Sequence, residues 1–283
     1  MHRHVTRILL RFLYSLILPT VLFFAWSPNA LAGDTIRING SGSGLEMMKP
    51  LMEAYSKASR GVSFEMEKPL GSSGAIKALL ANAIDIVITS KPLEPEVIKM
   101  GARIRYFGKT PLAIVTEKSN PKKNISAKEL EDIYSGIINK WPNGETIRPV
   151  LRPNEDIDTK ILRGLSPGMD KAITKAHQQR GMILAVTDPE SNEAVSRTIG
   201  SIGASGLTGV IISKVPLNVL ALNDVVPSRK TLANGSYPLV KNLHFVVTDK
   251  LPQAAAKFLD FVYSKKGRAI AENAGVLITT DGK

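Results

Sequence analysis

The 283-residue chain contains no cysteine. Disulfide frameworks, thiolate metal sites, cysteine nucleophiles and covalent c-type haem are excluded together. Histidine is scarce too: of four in all, His2 and His4 stand at the very start. His177 and His244 alone are too few for a histidine-built zinc site. No P-loop, G-x-G-x-x-G, H-E-x-x-H or G-x-S-x-G pattern occurs. Aromatic residues make up 6%, which argues against a stacking site for sugars or nucleobases. With 43% hydrophobic and 22% charged residues, the chain is neither a disordered tail nor a multi-span membrane protein. Its length fits one or two domains.

Acidic residues are the minority charge, 25 against 37 Lys and Arg, for a formal charge of +12. No apolar run reaches the ~20 residues of a membrane span. Phe12 to Trp26 is shorter and holds Pro19. Preceded by His2, Arg3, His4, Arg7 and Arg11, and followed by Ala30-Leu31-Ala32, it reads as an export signal over residues 1–32, cleaved before Gly33. The expected product is a soluble, periplasmic protein. Three arginines lie in the leader, which leaves +9 of the +12. Such a surface draws small anions. The basic residues are dispersed rather than grouped with aromatics, so nucleic acid is not an expected partner.

The rest of the chain alternates short apolar strands with helices. Thr35–Asn39 reads as a strand, and Gly40-Ser41-Gly42-Ser43-Gly44 leads into a helix with Leu45, Met48, Met52 and Tyr55 on one face. Ser43 and Glu46 form a capping-box pattern at its start. Val62–Lys68 is the next strand, Gly71-Ser72-Ser73-Gly74 opens a second helix, and Ile84–Thr89 is a third strand. Further strands are expected over 112–116, 147–152, 217–222 and 243–248. Helices are expected from about 127, 159, 169, 192, 252 and 267. The repeated strand, turn and helix predict an α/β protein with a largely parallel sheet. Chain boundaries fall near Ser119-Asn120-Pro121 and Tyr237-Pro238-Leu239.

The two Gly/Ser turns carry chemistry. Each ends a strand and begins a helix, so unsatisfied backbone N–H groups and a positive helix end converge. Glycine lets a ligand approach the backbone and serine adds donors. On neighbouring parallel strands both turns would sit at the carboxyl edge, where open α/β sheets bind ligands. That is an anion site in outline. The structural alternative is that Ser43 and Ser73 only cap helices.

Gly40 to Leu45, Gly71-Ser72-Ser73-Gly74-Ala75-Ile76-Lys77, and Asp85-Ile-Val-Ile-Thr-Ser-Lys-Pro-Leu93 resemble the phosphate-binding proteins of ABC phosphate importers. So do Leu130-Glu-Asp-Ile-Tyr-Ser-Gly136 before Trp141 and Gly235-Ser-Tyr-Pro-Leu239. The resemblance runs from about residue 35 to 278. It implies a two-lobed type 2 periplasmic binding protein fold, each lobe a mixed, mostly parallel sheet flanked by helices. The expected division is lobe 1 over 33–113, lobe 2 over 114–237, and a return to lobe 1 over 238–283. It also implies a ligand cleft served by Ser43, Gly44, Leu45, Ser72 and Ser73, with Arg152 as the anion fork. The implied partners are membrane permease subunits, the implied ligand phosphate or a related oxyanion, and the implied state a monomer without cofactor or metal.

Two positions depart from that pattern. Ser90 stands where many phosphate binders have an aspartate that rejects sulfate, and it is followed by Lys91. After Arg152 the expected donor-rich loop is replaced by Pro153-Asn154-Glu155-Asp156-Ile157-Asp158-Thr159. Carboxylates beside an anion repel it unless cations neutralise them. Asp156, Asp158 and Thr159 are therefore site residues that point either to helix capping or to a zwitterionic ligand. Thr187-Asp188-Pro189-Glu190 borders the same region or merely caps the next helix. A sensor or envelope partner not coupled to transport is a further alternative. A serine hydrolase using Ser72 or Ser73 with His244 is the remotest one; no enzyme is expected.

Overall fold

The structure, a computed structural model, describes residues 34–279; the expected leader lies outside them. These residues build an α/β unit. β1 (Asp34–Gly40), α1 (Gly42–Ala58), β2 (Val62–Glu65), α2 (Gly71–Leu80), β3 (Ile86–Thr89) and α3 (Pro95–Lys99) come first. β4 (Ala102–Glu117), β5 (Asn124–Ile125), α4 (Ala127–Tyr134), β6 (Arg148–Leu151), α5 (Ile157–Arg163) and α6 (Pro167–Gln178) follow. Then come β7 (Ile183–Leu184), α7 (Asp188–Arg197), β8 (Ser201–Gly206), α8 (Leu207–Ser213), β9 (Leu217–Leu222) and α9 (Arg229–Ala233). β10 (Val240–Thr248), α10 (Gln253–Tyr263), α11 (Lys265–Asn273) and β11 (Leu277–Ile278) close the fold.

The strand order is β2-β1-β3-β10-β4-β8-β6-β7, with β11 on β4 and β9 on both β4 and β5. Away from the two long strands β4 and β10, every pairing is parallel: β2-β1-β3, β8-β6-β7 and β5-β9. The antiparallel pairings all involve β4 or β10. Two large hydrophobic cores lie along this sheet. One gathers Ile36, Met48, Ile88, Phe245 and Phe258; the other gathers Leu130, Trp141, Ile173, Ile202 and Leu220. Each fully buried apolar side chain of this kind contributes about 1.5–3 kcal/mol.

β4 runs from one core to the other without a break, where only 112–116 is legible as a strand. Its first part alternates exposed Arg103 and Arg105 with inward residues, and the partner strand shifts register between Leu243 and His244. Charge and irregular pairing together hide the strand period. The second passage between the cores is bonded to the first. The Leu112 N–H donates to the Leu239 carbonyl at 2.9 Å, and the Tyr237 hydroxyl donates to the Leu112 carbonyl at 2.9 Å.

The start of α1 also differs from expectation. Ser41, not Ser43, is the N-cap residue, and it makes no side-chain capping bond. Ser43 lies fully buried inside the first turn, and Glu46 pairs with Lys49 instead of closing a capping box. Gly40 is required just before this turn, because a methyl there would run into the Ile88 carbonyl of β3.

Candidate functional site

A cavity of about 170 Å³ opens at the carboxyl ends of two parallel strand pairs, β1/β2 and β6/β7. Its first wall is Ser41-Gly42 after β1 and Pro69 to Ser73 after β2; Lys91 stands beside them. Its second wall is Arg152, Pro153 and Glu155 to Ile157 after β6, with Val186 to Asp188 after β7. The first residues of α1, α2, α5 and α7 therefore all border one space, which concentrates helix N-termini.

On the first wall Asn39 sets the geometry. Its Oδ1 accepts from the Gly40 and Leu70 amides at 2.8 and 2.9 Å, and its Nδ2 donates to the Lys68 carbonyl at 3.2 Å. The turn before α2 is thereby fastened to the end of β1, and Gly71 completes it at φ +68°. Neither α1 nor α2 has a side-chain cap. The Lys91 ammonium donates to Ser73 Oγ at 3.4 Å, and Thr89 Oγ1 holds the Lys91 amide at 3.0 Å.

The second wall already contains its anions. Asp156 caps α5 by accepting from the Asp158 amide at 2.9 Å. Its other oxygen accepts from Arg152 Nη2 at 2.8 Å. Thr187 and Glu190 close a reciprocal capping box on α7. Asp188 turns inward, with Oδ2 3.7 Å from Arg152 Nη2 and Oδ1 accepting from Lys241 Nζ at 2.8 Å. It also lies against α1, since a methyl on Gly42 would come within 2.9 Å of its Oδ2.

Lys241, on β10, is the deepest of these groups. Its side chain is 1% exposed and sits 2.7 Å from Asp158 Oδ1, itself 1% exposed. Burial works against the Lys241 charge, but Asp158 and Asp188 outweigh it and push its pKa up. Burial likewise opposes the Arg152 charge, and Asp188, Asp156 and Asp158 overcome it. Burial also raises Asp188, yet Lys241, Arg152 and the Ser43 amide hold it below the usual carboxylate range. Asp158 goes the other way: burial pushes it up to about 7, only partly countered by Lys241, with Asp188 and Asp156 adding to the rise. Two neighbouring carboxylates pushed apart in this way divide the roles. With Asp158 protonated, Arg152 and Lys241 balance Asp156 and Asp188. Ionised Asp158 adds an unbalanced negative charge.

Of the residues singled out by sequence, Ser72, Ser73, Arg152 and Asp156 line this cavity. Ser43, Gly44 and Leu45 are buried within α1, and Ser90 is buried at the end of β3 with no protein partner for its hydroxyl. Asp158 lies beneath the wall on Lys241, and the Thr159 hydroxyl donates to the Arg152 carbonyl at 3.1 Å. Within the first Gly/Ser turn it is Ser41 and Gly42 that line the cavity, not Ser43 and Gly44, and Lys241 is the residue that sequence reasoning passed over. Lys241 was detectable: it stands two places from Leu239 and from Leu243, on the inward face of a strand. His244 borders a different cavity, with Tyr106 and Asn242, so the serine and histidine of the hydrolase alternative do not meet. Among the described residues, no group of three His, Asp or Glu is placed to hold a metal.

Two α/β halves joined by paired crossing strands, with a polar cavity at facing strand ends, define a type 2 periplasmic binding protein fold. Residues 27–266 match the PBP superfamily domain, and the chain belongs to that superfamily. The phosphate-binding protein of Borreliella burgdorferi is 26% identical, over 86% of this chain and 89% of that one. A substrate-binding protein from Clostridium perfringens, solved with bound phosphate, superposes with a TM-score of 0.73 at 22% identity, over 87% of this chain and all of that one. The periplasmic molybdate-binding protein of Azotobacter vinelandii superposes at 0.62 with 14% identity, over 87% of this chain and all of that one. The same fold thus serves different oxyanions, and the choice is made by the site.

Proposed function

We propose that this protein is the exported, monomeric solute-binding component of an ABC-type importer, taking phosphate or a related oxyanion in the cavity. One observation carries this reading: two helix starts without side-chain caps, α1 and α2, face the Arg152 guanidinium across one small space. Backbone N–H groups, Ser72 and Ser73 would bind the anion from one side and Arg152 from the other. The names of its relatives support the same ligand class.

The proposed lobes are residues 33–113 with 238–283, and 114–237. The change of hydrophobic core near Leu112 and Leu239 supports this division. Ligand would close the lobes, and the closed state would dock onto membrane permease subunits. Any ATP would be hydrolysed by that partner, and no catalysis is assigned to this chain.

A second reading is favoured by Glu155, Asp156 and Asp188 on the cavity wall. A ligand with an anionic and a cationic end would satisfy the first wall with one and the second with the other.

Calorimetric titration of protein stripped of ligand by unfolding and refolding separates the two. Phosphate, sulfate, arsenate and phosphonates are compared with 2-aminoethylphosphonate. Saturating ligand, at a hundred times its Kd, adds about 2.7 kcal/mol of stability. Tight phosphate binding that weakens at least tenfold on Arg152→Ala is the expected result. Preference for the aminophosphonate establishes the second reading, and no response to any oxyanion overturns both.

A further inference from the structure

The anion cavity carries its polarity in an inverted order. Its most buried lining residues include polar ones: Ser72, Arg152 and Asp188 are each 5–6% exposed. Its large apolar residues stand on the water side. Leu70 of the first wall is 53% exposed and Val186 of the second 62%, and Ile157 is partly buried. Folding ordinarily places such side chains the other way round. The polar groups that share this outer zone are already engaged: Glu155 pairs with Lys160 at 2.8 Å, and Ser73 accepts from Lys91.

Both exposed apolar residues sit on fixed backbone. The Leu70 amide donates to Asn39 Oδ1 at 2.9 Å, and the Val186 amide donates to Glu190 Oε2 at 2.9 Å. Leu70 is moreover the N-cap residue of α2, where Ser, Thr, Asp or Asn would stabilise the helix. Leucine there leaves the first α2 amides without a side-chain acceptor and puts an isobutyl group at the cavity mouth. A local preference broken beside a ligand cavity marks a functional position.

We propose that the cavity takes an oxyanion carrying one short apolar substituent, as in an alkylphosphonate. The oxyanion end lies inward against Ser72 and Arg152, and the substituent lies outward between Leu70 and Val186. The inference rests on the oxyanion reading above and names its substrate class. Ligand sites combine a few placed polar groups with an apolar lining, and a ligand with one charged and one apolar end matches both zones. At about 170 Å³ the cavity is smaller than the roughly 300–1,000 Å³ of sites for drug-sized ligands, so the substituent is a few carbons long.

The test is calorimetric titration of the ligand-stripped protein with phosphate and with methyl-, ethyl- and propylphosphonate. A further arm is 2-aminoethylphosphonate, the isostere of propylphosphonate that ends in an ammonium. Affinity should rise about fourfold per buried methylene. Propylphosphonate should then bind at least tenfold tighter than methylphosphonate, and tighter than its amino isostere. Leu70→Ala and Val186→Ala shorten exposed side chains without adding a helix cap; combined, they should lower the propyl-to-methyl affinity ratio at least fivefold. A flat or falling series while phosphate still binds would overturn the proposal and leave the oxyanion reading standing. Preference for the amino isostere would overturn it in favour of a charged end. Equal loss of methyl- and propylphosphonate in the double variant would also overturn it, since the two residues would then only close the cleft. No binding of any oxyanion would overturn both readings.

Discussion

The two walls of the anion cavity are built from the same parts and finished differently. On the first wall, α1 and α2 begin without a bond from their own N-cap side chains, and their first residues line the cavity. On the second wall, α5 and α7 begin under caps from Asp156 and from Thr187 with Glu190. A helix start can stabilise an incoming anion only if the protein has not already given it one. On the first wall the start of α2 is therefore the one left for a ligand, since the Ser43 amide of α1 already serves Asp188, and the second wall presents carboxylates that Arg152 and Lys241 must balance. The asymmetry is the property that distinguishes this site from a symmetric oxyanion trap.

The largest expected effect comes from removing the foundation of the second wall. Lys241→Met leaves Asp158 and Asp188 facing each other without their shared ammonium. Breaking a buried ion pair in this way costs about 3–5 kcal/mol, measurable by urea denaturation. The double variant with Asp188→Leu should recover much of it, because it removes the carboxylate that Lys241 neutralises and apolar replacements of buried pairs are often tolerated. A single variant as stable as the parent would show that the second wall does not depend on Lys241.

Converting the second wall toward the first is the next step. Asp156→Asn keeps a good helix cap but removes the carboxylate that holds Arg152. Phosphate affinity should rise about tenfold, some 1.4 kcal/mol, while 2-aminoethylphosphonate should lose affinity. A fall in phosphate affinity would mean that the Arg152–Asp156 pair positions the guanidinium, not competes for it.

The buried cluster also sets a pH dependence. Asp158 is raised to about 7, so the folded protein binds a proton that the unfolded chain releases near pH 4. Its contribution to stability is fully present below pH 4 and is lost as pH rises toward and through 7. Ionisation there adds negative charge under the cavity, so sulfate, whose charge is constant in this range, should bind several-fold more weakly at pH 8 than at pH 6. Asp158→Asn should flatten both profiles. Asp188, held low by Lys241 and Arg152, acts only in acid, where its stabilisation disappears as pH falls.

Much of the fold was legible because burial imposes period. Leu45, Met48 and Tyr55 mark the inner face of α1, and Ser72 and Ser73 follow from their place in a Gly/Ser turn, while Arg152 and Asp156 were reached through the family resemblance and the departure from it. The start of α1 was not legible, because Gly-Ser-Gly-Ser-Gly offers two equivalent caps and no apolar residue to choose between them. The first wall therefore shifted from Ser43 to Ser41 and Gly42. Asp188 could be weighed only as a cap or a border of the cleft, not as an ion-pair partner, since Lys241 stands 53 residues away on β10. A pair so distant leaves no local pattern; only Lys241 between inward leucines hinted at it.

The smallest effect tests the first wall from its rim. Lys91 is only partly buried, and its ammonium reaches Ser73 Oγ at 3.4 Å. Solvent and salt screen such a charge, so Lys91→Met should weaken phosphate by two- to fivefold, under about 1 kcal/mol. That difference should vanish in high salt, whereas the loss in Arg152→Ala should persist, because Arg152 is buried. If Lys91→Met instead cost more than Arg152→Ala at every salt concentration, the anion would sit wholly on the first wall. Arg152 would then belong to the carboxylates it pairs with, and the second wall would be closed to anions altogether.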